Sequence, residues 1–550
     1  MSSYNPETKI WSSKGQPSIY NPKASLGELV LHSLKRNPDK VCEISDDYGT
    51  QLTFSELMKR SIQVAEALKE DYGVKFGDVV SIVSKNNPEV SSVVFGCIFN
   101  GCVINSLDML HAQIDFDHLI GLMKPKFVFV EVEVIEKVQS AINKHKLDTT
   151  FFCFTDINGK THSGITPVRS FFEKVLDFKV EDYLPAFVED TSKQIAFIMC
   201  SSGSTDVSKG VCLSHAQIIS QASRLFEFYE YDITYVSSTL YGITGFANLL
   251  RATIEGATRI NSTKPVNPEL FFYLIKKYKV SFTFVTPALI AQCLDSSELS
   301  NANLSSVTRC YTGGSLLLGE LQISFEKHLI NGKLVVCYGM TETATASTRN
   351  SVGKPGSVGI LQNETKMKIV SSEGKLLGPN EQGEICISSS YLCLGYYGEE
   401  EKTKKLFDKD GWICSGDLGY FDEEGYLFIV GRIKELIIYK GAHIAPGSIE
   451  KLVKEYTGLS QVCAVPIEDY KQGTELPAVV VIRPKDFPLS QEEIVKVLDE
   501  KLDYKRKLLG GVYFVDIFPQ TATGKVLRRE LKVLANRLYL SKKQNDEKMM

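Results

Sequence analysis

The sequence predicts an α/β protein in two parts: a large N-terminal domain of parallel-rich α/β layers over residues 1–432, and a small α+β domain over 433–550. Three observations carry this. The chain has 550 residues, beyond the size at which a single hydrophobic core stops growing. Short β-rich runs alternate with longer amphipathic stretches, the pattern of strand–helix–strand units. Finally, those runs are continuously apolar rather than alternating, as strands buried on both faces of a parallel sheet must be.

In chain order the predicted strands are Val79-Val-Ser-Ile-Val-Ser84, Lys126-Phe-Val-Phe-Val130, Phe151-Phe-Cys-Phe154, Ala196-Phe-Ile-Met199, Ser281-Phe-Thr-Phe-Val285 and Leu334-Val-Val336. Each is rich in β-branched and aromatic residues and is bounded by polar or turn-forming ones. After Arg432 the character changes. Gln461-Val-Cys-Ala-Val-Pro466, Ala478-Val-Val-Val-Ile482 and Val512-Tyr-Phe-Val515 read as strands and Glu492–Leu502 as a helix. The last dozen residues read as a solvated tail.

Composition narrows the function classes. A net charge of -4 without a basic block gives no electrostatic reason to expect nucleic acid. No window approaches the roughly 20 apolar residues of a membrane span, and the N-terminal Met-Ser-Ser-Tyr-Asn-Pro-Glu has neither a basic nor an apolar signal region. The 13 cysteines form no C-x-x-C pair, which suits a reducing compartment. The C-terminus reads Lys-Met-Met550 rather than Ser-Lys-Leu, so the expected location is cytosol or peroxisome. His111-Ala-Gln-Ile-Asp-Phe-Asp-His118 has metal-ligand residue types, but its spacing matches no standard zinc site.

The chemistry concentrates in a few segments. Phe197-Ile-Met-Cys-Ser-Ser-Gly-Ser-Thr-Asp-Val-Ser-Lys-Gly210 is an apolar strand that breaks into hydroxyls, glycine and a lysine. Ser201, Ser202, Ser204 and Thr205 offer hydroxyl donors, Gly203 lets backbone N–H groups approach an anion, and Lys209 adds a point charge. It is not a Walker A loop, since Gly-Lys-Ser/Thr is missing. Downstream follow Thr312-Gly-Gly-Ser-Leu-Leu317, Val335-Val-Cys-Tyr-Gly-Met-Thr-Glu-Thr343, Gly411-Trp-Ile-Cys-Ser-Gly-Asp-Leu-Gly419, Gly431-Arg-Ile-Lys-Glu-Leu-Ile-Ile-Tyr-Lys-Gly441 and Pro519-Gln-Thr-Ala-Thr-Gly-Lys-Val-Leu-Arg-Arg529. Taken singly, Asp417 reads better as a turn cap and Lys525 as the start of a surface helix. Their order and spacing favour the functional reading.

In that order these segments, with Lys354-Pro-Gly-Ser-Val-Gly359, Gly383-Glu-Ile385 and Gly395-Tyr-Tyr397 between them, resemble the adenylate-forming superfamily of acyl-CoA synthetases, coumarate-CoA ligases and beetle luciferases. The resemblance implies an ATP-dependent, AMP-forming acid–thiol ligase with magnesium, and with coenzyme A as second substrate. It implies that the loop from Ser201 to Lys209 wraps the β and γ phosphates, that Glu342 holds magnesium, and that Thr341 reaches the α-phosphate. Tyr338 then stacks on adenine beside Gly314, Ser315 and Gly339, while Asp417 takes the ribose hydroxyls with Arg432 nearby. Lys525 stabilises the transition state from the small domain, which is mobile about Lys434. Rotation brings Lys440, Gly441 and His443 toward the adenylate for the second half-reaction. The acyl pocket falls to Tyr241, Gly242, Phe246, Gly313 and Cys337.

The chain departs from the family's pattern at Asp206, a carboxylate in the phosphate loop. At about 6 Å from a phosphate it would cost on the order of 1–3 kcal/mol. Ile438 replaces a lysine and His443 a glutamine in the hinge segment, and Gly242 stands at the usual histidine, enlarging the pocket. The expected substrate is a medium- or long-chain fatty acid or an aryl acid. The alternatives are a degenerate homologue that binds acyl or nucleotide ligands without turnover, and, less favoured, a luciferase-like monooxygenase.

Overall fold

The computed structural model describes residues 2–549 apart from 14–18, 22, 202–207, 223–226, 345, 351–353, 391, 441, 470–473, 485–486 and 522–524. Two of its sheets are the predicted parallel-rich layers. One orders strands 395–396, 209–214, 195–201, 103–107, 79–83, 127–130, 150–153 and 166–167. From Ile195–Ser201 onward all its neighbours pair in parallel. The other orders 360–361, 346–350, 333–339, 309–312, 282–285, 233–236, 258–261, 41–45 and 50–53, parallel from Lys333–Gly339 across to Val41–Ser45. Every predicted strand is present within one or two residues at each end, except that Lys333–Gly339, Val462–Asp469 and Thr474–Ile482 run further than the sequence suggested. Phe54, Phe95, Phe99, Phe127, Phe129, Phe152 and Phe197 are fully buried. They fill a core formed where the helices cover the sheets.

A third sheet was not anticipated. Strands 2–5, 10–13, 365–370, 383–389, 413–421 and 427–432 make a wholly antiparallel layer. Its strands alternate buried and less buried positions, as in Thr365–Val370, the pattern of a sheet with one face on the core. Trp11 anchors it, fully buried and stacked on Phe421 with centroids 4.7 Å apart.

Beyond Arg432 a single turn, Ile433–Glu435, leads to a hairpin of Ile437–Tyr439 with Ala442–Ile444. A three-stranded sheet of 462–469, 474–482 and 511–515 follows, with its own core of Ile449, Val453, Val465, Val479, Ile494 and Leu531. One expectation is corrected here. The stretch read as a solvated tail belongs to a helix, Arg528–Met549. It contains no glycine or proline to stop it. No described helix is long and apolar enough to cross a membrane.

Candidate active site

A cavity of about 750 Å³ opens where strand ends of both parallel-rich sheets, the antiparallel sheet and the small C-terminal unit converge, the position at which open α/β sheets bind ligands. Ser201 ends one strand and pairs in register with Lys209, the first residue of the next. The two residues thus form the base of the phosphate-type loop, and both line the cavity. Ser202, Gly203, Ser204, Thr205 and Asp206 lie outside the described residues. Lys209 sets its ammonium 4.9 Å from the centre of the Tyr396 ring, and the Tyr396 hydroxyl donates to Glu342 Oε1 at 2.9 Å. Burial, reinforced by that carboxylate, pushes the Tyr396 hydroxyl well above the usual tyrosine range. Glu342 is itself buried, on the turn Thr341–Thr343 that follows strand Lys333–Gly339. Thr341 and Gly339 share its wall of the cavity.

The antiparallel sheet contributes a second cluster. Asp417 and Arg432 are cross-strand register partners, and Arg432 Nε lies 2.9 Å from Asp417 Oδ1. The other carboxylate oxygen accepts the Tyr338 hydroxyl at 2.8 Å. Burial lifts the Asp417 carboxyl above its ordinary range, while Arg432 and Tyr338 act against that rise. The Gly416 N–H donates to Glu384 Oε1 at 3.0 Å. That bond fixes a turn whose Gly416 φ of +71° few other residues would adopt.

Lys525 enters this cavity from the small unit. Its turn is closed on itself: Thr521 N–H donates to the Lys525 carbonyl at 2.9 Å, and Lys525 N–H to Thr521 Oγ1 at 3.1 Å. Burial lowers the affinity of the Lys525 amine for its proton. Arg432 lowers it further, with Glu435 and Asp417 opposing. Behind the turn, Arg528 bonds Glu450 Oε1 at 2.7 Å.

At the other end, Tyr241, Gly242, Gly313 and Cys337 line the cavity. Gly313 sits so close to its neighbour that a Cβ there would stand 2.7 Å from the Cys337 carbonyl oxygen. Phe246 is not brought to the wall. It is fully buried, its ring centroid 4.0 Å from that of Phe197, because it falls on the inward face of the helix Ile243–Glu255. Gly314, at φ +85°, and Ser315 also line the cavity. Lys434 also lines the cavity. Lys440 and His443 do not: they sit exposed on the 437–444 hairpin, where Lys440 N–H donates to Thr474 Oγ1 at 2.8 Å. Gly441 is outside the described residues.

Two roles were missed in the sequence. Tyr396 and Glu384 each fall in a segment noted only as a landmark, because a tyrosine or glutamate in a strand carries no signal of which strand end it will face. The residues of the His111 segment do other work. The His111 ring packs edge-on against Tyr241 and Phe116, and His118 Nε2 lies 3.2 Å from the Ser208 carbonyl. Nearby, His215 Nδ1 accepts the Leu26 N–H at 3.2 Å, and burial pushes its pKa down to about 4.

The donor set suits magnesium. Glu342 offers a hard carboxylate oxygen, and among the described residues no group of three His, Cys, Asp or Glu gathers to form an all-protein cage. Magnesium is normally held by one or two carboxylates, with phosphate oxygens and waters completing its octahedron.

Residues 30–397 match the model of the AMP-binding enzyme family, and residues 448–525 that of the AMP-binding enzyme C-terminal domain. A probable 4-coumarate–CoA ligase 1 of Dictyostelium discoideum is 30% identical over 539 residues, 94% of this chain and 96% of that protein. A luciferin 4-monooxygenase of Photuris pensylvanica is 29% identical over 532 residues, 94% and 96% of the two chains. The anthranilate CoA ligase AuaEII, solved in complex with anthranoyl-AMP, shares the fold with a TM-score of 0.84 at 20% identity, over 94% of this chain and 98% of that one. The luciferase-like enzyme of the nonluminescent Zophobas morio mealworm gives a TM-score of 0.71 at 26% identity, over 78% and 99%. With its cavity, both of its matched segments and its full-length relatives in agreement, the chain belongs to the AMP-binding enzyme family, the adenylate-forming superfamily of acid–thiol ligases.

Proposed function

We propose that the chain activates a medium- or long-chain fatty acid or an aryl acid as its acyl-adenylate at the expense of ATP, then transfers the acyl group to coenzyme A. The observation that carries the reading is the meeting of Lys525, from the small unit, with the Asp417–Arg432 pair and the Lys209–Tyr396–Glu342 series around one cavity.

In the first half-reaction the substrate carboxylate attacks the α-phosphorus, and pyrophosphate leaves. The barrier is mainly charge developing on phosphoryl oxygens, which fixed donors in a secluded site stabilise. Lys525 supplies a cation there, from a turn whose backbone is tied to Thr521 by two hydrogen bonds. Lys209 and Ser201, the described ends of the loop, would contact the departing phosphates. Thr341 reaches the α-phosphate, and Asp417, oriented by Tyr338 and Arg432, takes the ribose hydroxyls. The Tyr338 ring, with Gly314, Ser315 and Gly339, bounds the adenine. Glu342 would hold magnesium, whose charge neutralises the phosphate oxygens. Tyr241, Gly242, Gly313 and Cys337 bound the acyl group.

For the second half-reaction the small domain, which we place at 433–550 with the large one at 1–432, turns about Lys434. Lys525 withdraws, and Lys440, Gly441 and His443 approach the adenylate. We place the protein in the cytosol or peroxisome, as its lack of C-x-x-C pairs suits a reducing compartment.

The test is pyrophosphate release by the purified protein with ATP and magnesium across a panel of acids, with and without coenzyme A. Release that requires an acid, rises with coenzyme A and falls at least 100-fold in Lys525→Ala is the expected result. Acid-independent release, or an unaffected Lys525→Ala variant, would overturn the reading.

A further inference from the structure

Most of the acyl end of the cavity is apolar. Met199, Phe284 and Cys337 form its wall together with the ring of Tyr241. One polar residue of the lining is both buried and unpartnered among the described residues. Gln221 is 3% exposed, lines the cavity, and its Nε2 has no hydrogen-bond partner among the described residues. Thr286, the comparable polar group on this side, is engaged: its hydroxyl oxygen accepts the Leu289 N–H at 3.2 Å. Gln221 lies near the end of the helix His215–Ala222. That helix packs against Ile243–Glu255, the helix that Gly242 caps. The amide thus lines the same cavity as Tyr241 and Gly242, on a helix packed against the one that Gly242 caps.

A primary amide held out of water with its donor unmet is unfavourable, and replacing the lost water by a ligand group restores the bond. Rotation of the terminal amide by 180° changes nothing in its shape, so it can present either its N–H or its carbonyl to a ligand. A plain alkyl chain would leave it unsatisfied. A hydroxyl, carbonyl or ring heteroatom beyond the carboxyl end would not.

We propose that Gln221 is a specificity-determining residue, and that the preferred substrate is a carboxylic acid carrying a hydrogen-bonding group remote from its carboxylate rather than an unsubstituted fatty acid. This rests on the ligase reading above and narrows its substrate class. Sites built to hydrogen-bond a substrate group discriminate strongly against the analogue that lacks it.

The experiment compares matched acids, decanoate with 10-hydroxydecanoate and cinnamate with 4-hydroxycinnamate, by ATP–pyrophosphate exchange in the wild type, Gln221→Leu and Gln221→Met. In the wild type the hydroxylated member of at least one pair is expected to have a kcat/KM higher by about tenfold to a hundredfold. Both variants should collapse that ratio toward one, whatever happens to the absolute rates, a change that loss of folded protein cannot produce. Should either variant fail to fold, the wild-type ratio and thermal-shift binding of the matched acyl-sulfamoyl adenosines decide. A wild-type ratio near one, or a ratio that survives in the variants, overturns the assignment while leaving the ligase reading intact. Absence of exchange with every acid in folded wild type overturns both.

Discussion

At the scale of single residues, the chain keeps several ionisable groups where water does not reach, and each carries a measurable signature. Glu131 is 2% exposed at the end of strand Phe127–Val130, its carboxylate held by the Ser84 hydroxyl at 2.7 Å and the Lys85 N–H at 3.3 Å. Burial nevertheless pushes its pKa up to about 7, against an ordinary value of 4.5. An acid whose pKa is raised by folding adds stability below its unfolded pKa, and that contribution is lost as pH rises through the folded pKa. Above pH 7 the ionised side chain therefore costs up to about 3 kcal/mol. Glu131→Gln is expected to raise the melting temperature at pH 8.5, and the gain should disappear at pH 4.5, as thermal denaturation at the two pH values will show. A gain independent of pH would contradict this account. At the same scale, Lys209, Glu342, Asp417, Arg432 and Lys525 stood out in the sequence because hydroxyl, glycine and charge stand together in short motifs. Tyr396 and Gln221 did not. Their roles depend on a partner far away in the chain, Glu342 for one and the cavity for the other.

At the scale of elements, the site depends on strands that end together. Thr312 and Val336 are register partners on adjacent parallel strands, so the chain leaves both at the same level and Gly313 passes directly beside Cys337. A Cβ at Gly313 would push against backbone, 2.7 Å from the Cys337 carbonyl oxygen, and backbone cannot swing aside as a side chain can. Gly313→Ala is expected to lower adenylate formation more than tenfold while reducing stability by only about 1–3 kcal/mol. Pyrophosphate release and urea unfolding check the two halves. Unimpaired release would show that the strand ends separate freely. The parallel strands were legible because an uninterrupted apolar run has few other uses. The antiparallel layer was harder to see: its strands are half-polar and several carry glycine, a pattern shared with loops. The terminal helix was misjudged for a related reason. High polarity resembles a tail, although the absence of helix breakers was equally visible.

At the scale of the whole molecule, the small unit also touches the large one outside the cavity. One such contact joins the Ser460 hydroxyl to the Asp295 carboxylate, across the junction from the helix Pro287–Asp295. A disulfide between Asp295→Cys and Ser460→Cys would hold the units as they now lie, with Lys525 in the cavity. Under oxidant the double variant is expected to keep acid-dependent pyrophosphate exchange but to lose thioester formation by at least tenfold, and reductant should restore it. Wild type treated alike is the control. Thioester formation unimpaired by a verified cross-link would rule out rotation as a requirement.

The Asp417–Arg432 pairing has a consequence for how such a machine turns. Arg432 is the last residue of its strand, and the linker Ile433–Glu435 begins at the next position. The side chain that would steady the sugar of the nucleotide is thus tethered one bond from the axle. A molecule built this way needs no separate sensor for cargo. On the proposed reading, a nucleotide seated against Arg432 would stiffen the bearing on which the lid swings.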